Sequence, residues 1–140
     1  MQVKDLMTAE VFTLKESDSL KAARSLMSLA RIRHIPIVDE RHAFLGLVTH
    51  RDILEATISK FADVDHETQD AIDAGIPIRQ IMRSDATCVQ PDAAVRDAAQ
   101  ILLDHKYGCL PVVEDGILCG IITEADFLRL AITLMEALES

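Results

Sequence analysis

The chain states one passage twice, and that repetition limits its fold more than any other feature. Ile35-Pro36-Ile37-Val38, followed by Gly46-Leu47-Val48-Thr49-His50-Arg51-Asp52, returns as Leu110-Pro111-Val112-Val113, followed by Gly120-Ile121-Ile122-Thr123-Glu124-Ala125-Asp126. Pro36 recurs as Pro111 and Met7 as Met82, each 75 positions on. Gly46 recurs as Gly120 after 74, which places a one-residue deletion in the intervening turn. A repeat of this length implies two copies of one supersecondary unit. At 140 residues the chain has the commonest size of one domain, so two half-size units around a shared core fit it better than two independent domains.

Within each copy the periodicity predicts strand, helix, strand, strand, helix. Residues 3–7 read as a helical lead-in, and Val11-Phe12-Thr13-Leu14 as a short strand. Ser17 or Ser19 can cap a helix whose Leu20, Ala23, Met27 and Ala30 share one face, with Asp18 near its positive end. Residues 35–38 and 43–48 form a hairpin across Asp39-Glu40-Arg41-His42, and Ile53, Leu54, Ile58 and Phe61 then mark a second helix. The second copy replays this, with Ile78 to Met82 as lead-in, Thr87-Cys88-Val89 as strand and Pro91-Asp92 opening a helix that bears Val95, Ala98 and Leu102. Asp115-Gly116 predicts a tight hairpin turn. The last helix, residues 126 to about 138, carries Leu128, Ala131, Ile132, Met135 and Leu138, more apolar surface than a terminal helix needs, so a second subunit is expected to cover it.

The organisation expected is residues 1–61 as the first repeat, 62–77 as an acidic linker with one or two helical turns, and 78–140 as the second repeat. Asp63-x-Asp65-x-Glu67 opens like a calcium loop, but Thr68 stands where the sharp turn needs Gly and Ala74 where the loop needs its bidentate acid. His42, His50, His66 and His105 lack metal-ligand spacing, so no metal site is expected.

Composition narrows the function. A net charge of −9 opposes nucleic acid and anionic membrane, whose affinity rests on Lys and Arg. Cys88, Cys109 and Cys119 have no C-x-x-C spacing and fit reduced thiols in a cytoplasm. No signal peptide is expected at the start of the chain, and the longest apolar tract, residues 127–138, is too short for a membrane span and carries Arg129 and Glu136. With neither a nucleophile elbow nor a phosphate-cradling glycine loop, no catalytic residue is assigned and the protein is not expected to be an enzyme.

Thr49-x-x-Asp52 and Thr123-x-x-Asp126 have two physical readings. Each can be a capping box, in which Thr and Asp satisfy the first amides of a helix. Each can also present a helix start and a carboxylate to a ligand, the Asp accepting from sugar hydroxyls. Tyr107 can stack on an aromatic base or fill the core.

The ordered set of short strand, amphipathic helix, Ile-Pro-Ile-Val and Gly-Leu-Val-Thr-x-x-Asp, present twice, resembles the CBS (cystathionine β-synthase) domain, and its tandem resembles a Bateman module. The resemblance covers nearly the whole chain. It implies an α/β (α+β) fold of two repeats packed about a pseudo-twofold axis, with two clefts for an adenosine-containing ligand such as AMP, ADP or ATP. One cleft would combine Thr49, Arg51 and Asp52 with Thr87, Tyr107, Gly108 and Cys109. The other would combine Thr123 and Asp126 with Thr13, Arg33 and His34. Arg51, Arg33 and His34 would meet phosphate. Cys88 stands where the first copy has Thr13, and Ala125 where it has Arg51, so the clefts should differ. The function implied is a stand-alone regulatory module that requires no cofactor, dimerises through helices and signals by conformational change to an enzyme or transporter; the alternative is a ligand-free dimeric scaffold.

Overall fold

A proline inside a strand removes one ladder donor, and each repeat carries one in the first strand of its hairpin. The computed structural model describes residues 1–61, 66–105 and 108–139. Their element order is α1 (Val3–Leu6), α2 (Leu20–Ala30), β1 (His34–Val38), β2 (Phe44–Thr49), α3 (His50–Phe61), α4 (His66–Gly75), a 3₁₀ turn (Ile78–Gln80), α5 (Val95–His105), β3 (Cys109–Glu114), β4 (Ile117–Thr123) and α6 (Glu124–Glu139). β1 pairs antiparallel with β2, and β3 with β4. The fold is the expected mixture of α and β, with two hairpins flanked by helices.

The deletion between the copies lies in the turns. Asp115 (φ 51°) and Gly116 (φ 80°) both take positive φ, as a two-residue type I′ turn requires, and Glu114 pairs directly with Ile117. The first hairpin instead uses residues 39–43: the Asp39 carboxylate accepts from the amides of Arg41 (2.8 Å) and Ala43 (2.9 Å), and His42 supplies the positive φ of 68°. Both hairpins shift register just past the residue that follows the proline, between Ile37 and Val38 and between Val112 and Val113, leaving Leu45 and Cys119 as the extra residues just before Gly46 and Gly120.

Packing divides the chain into two compact units, residues 12–85 and residues 1–11 with 86–140. Those boundaries differ from the repeat boundaries read in the sequence, because each lead-in packs in the unit of the other repeat. In the first unit (residues 12–85), Arg83 and Leu47 exchange backbone bonds of 2.8 and 2.9 Å along the outer edge of β2. In the second (residues 1–11 with 86–140), Thr8 and Ile121 exchange bonds of 2.9 Å along the edge of β4. The repeated glycines follow from this approach. A Cβ on Gly46 would lie 2.9 Å from the Arg83 carbonyl oxygen, and one on Gly120 would lie 2.5 Å from that of Thr8.

The other edge of each hairpin is closed by a single parallel bridge, Leu14 to Ile37 and Val89 to Val112. This corrects the strands expected at residues 11–14 and 87–89. Leu14 donates to the Pro36 carbonyl and accepts from Val38, so the nitrogen of Pro36 faces the same edge and has no hydrogen with which to continue the ladder. Pro111 stands likewise beside Val89. Leu20, Ala23, Met27, Ile35, Ile37, Val48, Ile53 and Ile78 form the core of the first unit, and Val3, Ala98, Leu102, Leu110, Val112 and Ile122 belong to that of the second.

Ser19 is the cap of α2, accepting from the Ala22 amide at 3.1 Å. The helix ends on Arg31, held left-handed (φ 56°), while Ile32 donates back to the Met27 carbonyl at 3.2 Å. That is a Schellman closure with arginine in the place glycine usually takes. α5 starts at Val95 and not at Pro91: Pro91 and Asp92 lie in a turn closed by Ala93 donating to Gln90.

The expected linker is largely helix. α4 buries Asp73, which accepts from Arg24 Nε at 2.8 Å and from Gln69 Nε2 at 2.7 Å. A polar anchor of this kind leaves no apolar stripe for periodicity to find. Asp63 and Asp65 lie outside the described residues, as do the side chains of Ile58 and Phe61.

Candidate functional site

Each second hairpin strand runs straight into a helix, so the first amides of α3 and α6 emerge beside Thr49 and Thr123. At α3 the capping box is complete. Asp52 Oδ2 accepts from the Thr49 amide (3.0 Å) and hydroxyl (2.8 Å), while the Asp52 amide donates to Thr49 Oγ1 at 3.2 Å. Asp52 Oδ1 accepts from Arg83 Nε at 2.8 Å, and that bond pushes the arginine's pKa up. At α6, Asp126 Oδ2 accepts from the Thr123 amide (2.8 Å) and, more distantly, its hydroxyl (3.4 Å). Asp126 Oδ1 accepts from Arg129 at 2.7 Å and from the Thr8 hydroxyl at 3.3 Å.

Burying a carboxylate requires this many donors. Asp52 is 9% exposed and Asp126 3%. A carboxylate oxygen offers about two acceptor directions. Asp126 thus has both oxygens filled, whereas Asp52 Oδ1 has one partner and can accept one further hydroxyl without displacing Arg83.

The remaining predicted residues are spread over the two units. In the first, Arg51 is exposed on the opening turn of α3, Thr13 is half-buried before Leu14, and Arg33 and His34 lead into β1. The Arg33 carbonyl accepts from the His50 amide at 2.8 Å, bringing those two residues together. In the second, Thr87 is half-buried, Gly108 takes φ 81° and accepts from the Glu124 amide at 3.3 Å, and Cys109 is buried. Burial pushes the Cys109 thiol up to about 12, so it stays protonated and serves as packing. Tyr107 lies outside the described residues.

Sequence reasoning missed Arg83 and Thr8, the lead-in side chains that reach Asp52 and Asp126. A signal existed: they are 75 positions apart, each directly after a repeated Met. It also missed a cleft of about 440 Å³ between α2 and the start of α3, into which Arg24, Arg31, Arg33 and His50 turn. Among the described residues no group of three or more His, Cys, Asp or Glu is arranged to hold a metal ion, and no helix is long and apolar enough to cross a membrane.

Comparison with known proteins agrees with this architecture. The CBS domain family matches residues 3–59 and again residues 78–133. A solved structure from Vibrio cholerae, described as a candidate acetoin utilization protein (AcuB), is 38% identical with a TM-score of 0.87, over 100% of this chain and 98% of that one. CBSX2, a CBS-pair protein of Arabidopsis thaliana, was solved in complex with AMP; it is 26% identical with a TM-score of 0.80, over 96% of this chain and 98% of that one. The CBS domain pair of protein MJ0100, solved with 5′-methylthioadenosine and S-adenosyl-L-methionine, is 25% identical with a TM-score of 0.76, over 93% and 94%. The chain spans 31% and 42% of the length of two curated relatives from Methanocaldococcus jannaschii.

Proposed function

Because the chain belongs to the CBS domain family and carries two copies of the domain, we propose that it is a regulatory module that binds an adenosine-containing ligand and signals through a change of conformation. The observation that carries this is the pair of Thr-x-x-Asp groups, each a buried carboxylate at a helix start, in a chain aligned over 96% of its length with a relative solved with AMP. Thr49 with Asp52, and Thr123 with Asp126, hold ribose hydroxyls and phosphate in this reading; at Asp126 the sugar hydroxyls replace the longest existing bonds, those from the Thr8 and Thr123 hydroxyls at 3.3 and 3.4 Å. Arg51, Arg33 and His34 supply charge, and Thr13, Thr87, Tyr107, Gly108 and Cys109 belong to the same assignment. A ligand that prefers one arrangement shifts the population toward it, and an enzyme or transporter reads the shift. The chain itself catalyses nothing.

The proposal includes a homodimer in a reducing cytoplasm. α6 leaves Leu128, Ile132, Leu134, Met135 and Leu138 each at least 55% exposed, an apolar face that a second subunit's helices would cover.

A second reading, the ligand-free scaffold, is favoured by the capping geometry itself, which gives both aspartates a structural role. Titration calorimetry with AMP, ADP, ATP, NAD and S-adenosylmethionine separates the two. Saturable binding of at least one compound is expected, with Asp52→Ala weakening one site by about 1.5 to 3 kcal/mol. Heat from none of them establishes the scaffold.

A further inference from the structure

The cleft between α2 and α3 lies wholly within the first unit. Its polar wall is Arg24, Arg31, Arg33, Ser28 and His50, its floor is apolar, and none of its eight lining residues is acidic. In a chain of net charge −9 such a gathering runs against the composition. Asp73, fully buried in α4, fixes Arg24 through Nε at 2.8 Å. Arg31 and Arg33 are both exposed.

The repeat supplies an internal control. Arg24, Ser28, Arg31, Arg33 and His50 correspond to Ala99, Leu103, Lys106, Gly108 and Glu124. The second copy therefore keeps one cation of the set and adds an acid, so the fold does not demand these charges. Arg31 adds an independent sign. A left-handed helix closure favours Gly or Asn on conformational grounds, and here it carries a guanidinium that lines the cleft.

We propose that this cleft is a binding site for a small phosphate-bearing anion, held by Arg31, Arg33, Arg24 and His50. Guanidinium groups engage phosphate oxygens in paired, charge-assisted bonds, and the volume of about 440 Å³ has room for more than one phosphate group. Arg33 is shared with the nucleotide reading and His50 lies inside the first Thr-x-x-Asp group, whereas Arg24, Ser28 and Arg31 belong to neither, so Arg31 is the residue that separates this site from that reading.

The test is titration of the whole protein with inorganic tripolyphosphate, with adenosine as the phosphate-free comparison. Tripolyphosphate should bind saturably, and Arg31→Gly and Arg33→Gln should each weaken it about tenfold or more. Arg41→Gln, which removes the same charge from the first hairpin loop, should leave it unchanged. Glycine suits the left-handed position, so the melting temperature of Arg31→Gly should hold or rise while affinity falls, and Arg33→Gln, outside the helix, gives the same reading without touching that closure. Failure of tripolyphosphate to bind the wild type, indifference to both cleft variants, or an equal loss in Arg41→Gln would overturn the proposal. An ATP titration assigns the source: a matching loss in Arg31→Gly means that a nucleotide's phosphates occupy the cleft, and an unchanged ATP affinity beside weakened tripolyphosphate means a free polyphosphate. A protein that binds tripolyphosphate but no adenosine compound keeps this site and loses the nucleotide reading.

Discussion

Asp52 and Asp126 solve one electrostatic problem in two ways. Each is a buried carboxylate three residues after a capping threonine, and each needs a cation. Asp52 takes Arg83 from the lead-in strand, whereas at the matching lead-in position Asp126 meets only the Thr8 hydroxyl and takes its cation from Arg129, one turn along its own helix. The position matching Arg129 in the first unit is Glu55. Repetition has thus kept the backbone frame and the buried acid while the source of positive charge moved. Equivalent positions in a repeat need not be equivalent sites.

The comparison is most exposed to failure at the glycines. Gly120→Ala should cost about 3 kcal/mol, since its Cβ would meet backbone at 2.5 Å, and Gly46→Ala about half as much, with backbone at 2.9 Å and the flexible Met82 beside it. Urea denaturation measures both, and an equal or reversed order would mean that the lead-ins yield more easily than their hydrogen bonds suggest.

The two cations should rank next. Arg83→Met removes a bond that also holds a lead-in in place and should lower stability by about 1 kcal/mol, with the discount that its side chain is 49% exposed. Arg129→Ala, a pair within one helix whose arginine is 67% exposed, should lose about 0.5 kcal/mol or less. Double-mutant cycles with Asp52→Asn and Asp126→Asn isolate the pair energies; a larger coupling at Asp126 would reverse the account.

The smallest effect lies in the first turn. Backbone bonds from Ala43 and then Arg41 hold the Asp39 carboxyl below its ordinary value of 3.8. A lowered folded pKa gives stability that is present above about pH 4 and lost as pH falls through the folded value. Asp39→Asn should therefore flatten the acid limb of a stability profile slightly. Identical profiles for wild type and Asp39→Asn would remove the carboxylate from the first turn's design.

Local chemistry was legible in the sequence, and long-range exchange was not. Asp115-Gly116 predicts its turn because both residues tolerate positive φ, and Thr49-x-x-Asp52 predicts its cap because the spacing closes within one helical turn. Arg83 reaches Asp52 only because a lead-in crosses into the other repeat's unit, and no periodicity reports that. α4 escaped because its anchor is the Arg24–Asp73 pair, and the strands at Leu14 and Val89 were overestimated because the prolines that stop them lie far along the chain. Arg31 escaped for another reason: arginine at a left-handed closure contradicts local preference, and such contradictions tend to mark places where something other than local structure has selected the residue.

The crossed lead-ins also set an order of events during synthesis. By residue 85 the first unit has all its strands together with Arg83, the residue that closes its edge. Residues 1–11 emerge from the ribosome before any of it, yet their backbone partners are Pro91, Ala93, Val95 and Ile121, all made later. Val3 and Met7 must wait in water until β4 exists, and closing so long a loop is slow. Moving residues 1–11 to follow residue 140 would make the second unit continuous in the chain, and a segment translated ahead of the first unit would no longer be the last to find its place.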